Sequence, residues 1–261
     1  MRYLAFDYFM QIHYSQPVDK CYFTIKCIPT ETVRQHLEKL QIILNPDTTW
    51  IQEQDAFGND YIFGSIETAH SDFFFHITGE VAVNRTEREF LLNERGVGKY
   101  RYPYGLTRPG ESLKRYFNSL EVAAQTTDYE KCVYLMHRLY QDFKYEQQVT
   151  DVNTTAEGAW TLGKGVCQDY AHIFLALCRM AGVPARYVAG MLIGEGASHA
   201  WAEVLCDGKW IGLDPTNDLI VEDSHVKLCS GRDAGDCLIN RGIMIGGGGQ
   251  SQSVRVSVMD V

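Results

Sequence analysis

LGKGVCQDYAHIFLALCRMAGVPARY, residues 162–187, is the stretch in which one helix and its reactive end can both be read. Gly163 and Gly165 break structure, and beyond them Tyr170, Phe174, Leu177 and Ala181 recur at helical spacing until Gly182 and Pro184 supply a stop signal. The spacing places Cys167 in the first helical turn. There the unpaired amides and the positive end of the helix dipole favour a thiolate over a thiol. The same amides can stabilise an oxyanion on a substrate carbonyl, with the Cys167 N–H as the natural donor. Most cysteines are small buried hydrophobes. Cys178, amid Leu177 and Met180, fits that pattern, as do Cys21, Cys27 and Cys132. Cys167 stands apart because it follows a glycine-rich turn and precedes the polar pair Gln168 and Asp169.

Downstream the period changes to that of strands, in ARYVAGMLI (185–193), SHAWAEVLC (198–206), KWIGLDP (209–215) and SVRVSV (253–258). Asp207-Gly208 is a strong two-residue hairpin signal. With those two residues as the loop, Cys206 faces Lys209, Trp201 faces Asp214 and His199 faces Thr216. His199 and Asp214 then share a face as diagonal neighbours, about 7–8 Å apart at the backbone, a gap that an imidazole and a carboxylate can bridge. Such a carboxylate fixes the tautomer of the histidine and supports its charged form. A helix-start cysteine with a paired histidine and carboxylate is the pattern of nucleophilic catalysis. His172 and Asp169 are alternative partners, ranked lower because the helix turns His172 away from its first turn. His13, His70, His76 and His225 have no supporting context.

Upstream, residues 1–84 read as short strands, with alternation in CYFTIKC (21–27) and in Phe73, Phe75 and Ile77, separated by breakers at Asn45-Pro46-Asp47 and Gly58-Asn59-Asp60. This predicts an N-terminal antiparallel β-sandwich over residues 1–100, with a connector at 85–109. Residues 101–261, the final strands included, are assigned to an α+β core. Within that core Asp128 can cap a helix carrying Val133, Met136, Leu139, Tyr140 and Phe143, packed against the helix that begins at Cys167. Gly246 to Gly249 read as a flexible connection, since no phosphate-loop Lys-Ser/Thr follows.

The 261 residues, 45% of them hydrophobic, can bury a sizeable core without disulfides. A formal charge of -9 argues against nucleic-acid partners, which need clustered Lys and Arg. No eighteen-residue apolar run marks a membrane span and the N-terminus lacks a signal-peptide core, so the expected location is cytoplasmic, without a membrane partner. No paired C-x-x-C spacing suggests zinc, and a structural metal held by Cys229, Cys237 and His225 has poor spacing. Neither a cofactor nor a metal is expected.

The motifs GVCQDYAH (165–172), PARYVAG (184–190), HAWAEV (199–204) and WIGLDPTND (210–218) resemble the transglutaminase-like superfamily, and GRDAGD (231–236) is similar to a stretch that follows the core in its bacterial members. The N-terminal region resembles their β-domain. The resemblance implies a papain-like core in which Cys167, His199 and Asp214 form a triad that makes a thioester from an amide. It spans calcium-dependent cross-linkers, deamidases, peptidases and peptide amidases. No acidic cluster with calcium-loop spacing appears, so calcium activation is not expected. In animal members an indole N–H is the second oxyanion donor. Whether Trp160 or another group serves here is open. The expected function is therefore a cysteine peptidase or amidase acting on a peptide or protein, with glutamine transfer to a primary amine or non-catalytic peptide binding as alternatives.

Overall fold

The computed structural model describes residues 1–90 and 96–261, so the expected connector at 85–109 lies partly outside the described residues. In chain order the strands and α-helices are β1 (Arg2–Ile25), β2 (Gln35–Asn45), β3 (Trp50–Gln54), β4 (Asp60–Ile66), β5 (His70–Val83), β6 (Glu89–Phe90), α1 (Gly98–Arg101), α2 (Glu111–Ser119), α3 (Asp128–Asp142), β7 (Lys144–Tyr145), α4 (Ala156–Leu162), β8 (Lys164–Gly165) and α5 (Cys167–Met180). They are followed by β9 (Ala185–Leu192), β10 (Gly194–Gly196), β11 (His199–Cys206), β12 (Lys209–Asp214), β13 (Leu219–Ile220), β14 (His225–Gly231), β15 (Asn240–Gly246) and β16 (Gln250–Asp260). The class is α+β, as expected.

β1 is the spine of the N-terminal sheet. Leu4, Phe6, Tyr8, Met10, Ile12 and Tyr14 are buried in strict alternation, which gives the strand one core face and one outer face. Its pairing with β5 shifts register between His13 and Val18. Such an irregularity bends a strand. The first half of β1 lies between β5 and β16, and the second half between β4 and β15, so one continuous antiparallel sheet curls into a half-barrel.

This corrects the expected division of the chain. β15 and β16, which the sequence reading assigned to the core of residues 101–261, complete the N-terminal sheet instead. Val256 and Val258 are buried in the N-terminal core, where β1 has an open edge for them. The expected flexible glycine run is likewise an ordered turn: Gly247 donates to the Pro17 carbonyl at 3.0 Å, and Gln16 and Ser15 donate back to Gly247 and Gly249. Positive φ at Gly246, Gly247 and Gly248 explains the residue type.

The core sheet has the order β13-β12-β11-β9-β14, with β6 added beside β12. α5 is buried along nearly its whole length, because β9 and β11 cover one side while α3 and α4 cover the other. The Tyr170 hydroxyl donates to the Phe143 carbonyl at 2.7 Å, and the Cys178 and Cys132 sulfurs are 3.8 Å apart, so α3 and α5 pack together as the sequence predicts. α3 is capped by Thr127 rather than Asp128. Its hydroxyl accepts from the Glu130 N–H at 3.1 Å, and the Glu130 carboxylate accepts from the Thr127 N–H at 2.9 Å. Met191, Val226 and Leu228 on β9 and β14 reach into the N-terminal core, while Tyr187 and Ala189 of β9 pack toward α5, so the two cores share these strands.

Candidate active site

Cys167 is the first residue of α5 and the one cysteine of eight that is not buried. Its position is set just upstream, where β8 pairs in parallel with β7 and the Glu146 N–H donates to the Gly165 carbonyl at 2.9 Å. Asp169 then folds back over the helix start. Its Oδ2 accepts from the Val166 N–H at 2.8 Å and from the Thr150 hydroxyl at 2.7 Å. A Cβ at position 165 would sit 2.4 Å from that oxygen, so this close approach requires glycine. Asp169 is thus a cap of the turn before Cys167, not an orienter of a base.

The hairpin register of the sequence reading is found in the structure, from Cys206 opposite Lys209 to Ala202 opposite Leu213. His199 Nε2 lies 2.8 Å from Asp214 Oδ2. Cys167 lies on the same cleft as His199, near enough for the sulfur to act on the charge of the imidazole. Burial works against a charge on the imidazole, but the hydrogen bonds and attraction from Asp214 and Cys167 outweigh it and raise its pKa to about 10. Asp214 is fully buried, and desolvation disfavours its charge. Donors from His199, His225 and Asn217 nevertheless hold its carboxyl well below the usual range. Oδ1 accepts from the backbone of Thr216 at 3.0 Å and of Asn217 at 3.3 Å, and Oδ2 accepts from Asn217 Nδ2 at 2.8 Å.

His225, dismissed in the sequence reading, corrects that judgement: its Nε2 is 3.2 Å from the same Oδ2 of Asp214. Its Nδ1 faces the Ser224 hydroxyl at 3.0 Å. This also removes His225 from the set with Cys229 and Cys237 weighed as a metal site. Among the described residues the group with ligand-like spacing is His199, Asp214 and His225, whose ligand atoms lie within 4.8 Å of one another. The 2.8 and 3.2 Å separations are those of direct hydrogen bonds. His172 is wholly buried and accepts from the Ala234 N–H at 3.1 Å, and burial lowers its pKa to about 3, which removes it as a base. The GRDAGD segment thereby buttresses α5, with Arg179 donating to the Arg232 carbonyl at 2.7 Å.

Cys167 and His199 line one cleft of about 800 Å³, walled by Tyr140, Tyr145 and Gln147 on one side and by the β10 region on another. Trp160 is not among its lining residues. It packs at a tilt against Tyr116, ring centroids 4.0 Å apart, and stacks with Phe143 at 6.3 Å.

Residues 117–215, which contain this constellation, match the transglutaminase-like superfamily core, and residues 6–82 match the bacterial transglutaminase-like N-terminal region. The chain belongs to the transglutaminase-like superfamily. A provisionally named cysteine protease from Cytophaga hutchinsonii has the same fold as this superfamily member, with a TM-score of 0.83 at 21% identity over 100% of this chain and 91% of that one. Uncharacterised proteins of Mycobacterium tuberculosis and Mycobacterium leprae are each 36% identical, over 126 and 124 residues. Those matches cover 42% and 44% of this transglutaminase-like chain and 40% and 44% of the relatives, so less than half of their length is spanned. Among the described residues no helix is long and apolar enough to cross a membrane.

Proposed function

We propose that the protein is a thiol-dependent amide-bond enzyme, a cysteine peptidase or amidase in which Cys167 is the nucleophile, His199 the acid and base, and Asp214 its orienting group. The observation that carries this reading is the meeting of an accessible helix-start thiol with a carboxylate-bound imidazole on one cleft. Cys167 Sγ attacks the amide carbonyl, and the developing oxyanion is met by the first-turn amide of α5. His199, kept protonated beside Asp214, gives a proton to the leaving nitrogen as the C–N bond breaks, leaving a thioester. Water, deprotonated by His199, then attacks the thioester and releases the acid and the free thiol.

The open cleft favours a peptide or protein substrate, and eight free thiols fit the reducing cytoplasm. The test incubates the protein with a glutamine-containing peptide and a labelled primary amine. Free acid with ammonia or a cleaved peptide is the expected product. Amine incorporation as the main product would replace hydrolysis by transfer. Undiminished biological activity in a folded Cys167→Ala variant would replace catalysis by binding.

A further inference from the structure

We propose that His225 is a positioning residue for the reacting pair: as a neutral donor behind Asp214, it holds the carboxylate oxygen toward His199 and so sets the imidazole against Cys167. This rests on the reading of Cys167 and His199 as the reacting groups, and adds to it a fourth residue, contributed by a different strand.

Three observations carry it. Asp214 Oδ2 is shared between His199 at 2.8 Å and His225 at 3.2 Å, beside the Asn217 amide at 2.8 Å. The ring of His225 cannot swing away, because Trp201 meets it edge-on at 5.0 Å and its side chain has no exposed surface. Its tautomer follows from its neighbours: the ionised Asp214 can only accept, so Nε2 carries the proton, which leaves Nδ1 to accept from the Ser224 hydroxyl at 3.0 Å. Burial also lowers its pKa in spite of Asp214, so a neutral donor is the expected species. The charged groups around it are His199, Asp214 and Arg34, with Glu89, Glu203 and Lys227 lining the small cavity it shares with Trp201. Glu203 is already paired, to Arg186 at 2.6 Å and Lys227 at 2.9 Å, which leaves Asp214 as the acceptor His225 serves.

A hydrogen bond of this kind acts on orientation. The Thr216 and Asn217 amides fix Oδ1 and the Asn217 side chain shares Oδ2, so what His225 adds is a further hold on Oδ2, the oxygen that aims its lone pair at His199. The experiment compares His225→Phe, which keeps a flat ring and removes the donor, with His225→Gln, whose side-chain amide reaches about as far as the imidazole Nε2. Two readouts need no amide substrate: the rate of Cys167 alkylation by iodoacetamide at pH 6, and the NMR titration of the His199 ring in protein labelled at histidine.

The Phe variant is expected to alkylate about tenfold more slowly and to titrate at His199 at least one pH unit lower, while Gln restores the rate to within about threefold. If the Phe protein does not fold, His225→Asn, polar but one methylene too short to reach Asp214, takes its place with the same expectation. Native rate and native His199 titration in a folded Phe or Asn variant overturn the proposal, as does a Gln variant no better than either. Failure of the native protein to turn over any amide would instead count against the proposed reaction, leaving both readouts intact.

Discussion

His199 and Asp214, fifteen residues apart in the chain, meet at 2.8 Å although neither sits directly opposite the other in the hairpin that carries them. Continued one step beyond the Ala202–Leu213 pair, the register puts Trp201 rather than His199 on the Asp214 line, so the contact is made by side-chain reach. Asp214→Asn keeps the shape of the site but replaces an anion with an amide and can hold the wrong imidazole tautomer. Turnover of an amide substrate is expected to fall on the order of a thousandfold, with KM little changed, measured as a split of kcat from KM. Asp214→Ala leaves the donors of His199, His225, Thr216 and Asn217 facing a void and is expected to lower stability by about 3–5 kcal/mol in chemical denaturation.

Cys167 is the one thiol exposed enough to meet a small reagent. Native protein treated briefly with iodoacetamide near pH 6 is expected to take up one equivalent, mapped to the peptide containing Cys167, and unfolded protein to take up eight. Preferential labelling of Cys178 or Cys229 would sink the assignment of the nucleophile.

The His199 titration also sets a direction for stability against pH. Its folded pKa of about 10 lies above the unfolded value of about 6.5, so the folded state holds an extra proton between those two points. The contribution is therefore complete below about pH 6.5 and is lost as pH rises toward 10. Asp214 runs the other way: its pKa is depressed, so its contribution is present above about pH 4 and is lost in acid. A His199→Gln variant is expected to show a shallower fall in Tm between pH 7 and pH 10 than the native protein, and equal slopes would count against the ion pair.

Gly190 lies on β9 directly across from His199. A Cβ there would approach the Val226 carbonyl oxygen to 2.2 Å and the Trp201 indole to 2.4 Å, and the carbonyl belongs to backbone that cannot swing aside. Gly190→Ala is expected to cost about 1–3 kcal/mol in chemical denaturation and to slow Cys167 alkylation, because the displaced indole is packed against both His199 and His225. A variant of native stability would show that β9 and β14 can separate without penalty.

Much of this site was legible because its signals are local. A two-residue turn sets a register, a glycine pair starts a helix, and both act over a few residues, so Asp207-Gly208 and Gly163 to Gly165 were enough to bring forward His199, Asp214 and Cys167. Asn217 could have been found the same way, since the Asp214 side chain makes an Asx turn with the backbone two and three residues on, which brings Asn217 back to the carboxylate. His225 had no local signal. Its role depends on β14 lying beside β9 and β9 beside β11, an order that no periodicity states.

By itself, then, the chain's sequence determined the α+β class, the helix that presents Cys167 and the face on which His199 and Asp214 meet, because alternation, helical spacing and turn chemistry are written in neighbouring residues. Tertiary structure alone decided that β15 and β16 close the N-terminal sheet, that His225 stands behind Asp214, and that Cys167 remains open while seven other thiols are buried. Those outcomes come from edges and surfaces that find partners far away in the chain, where burial and hydrogen-bond satisfaction, not local preference, select the arrangement.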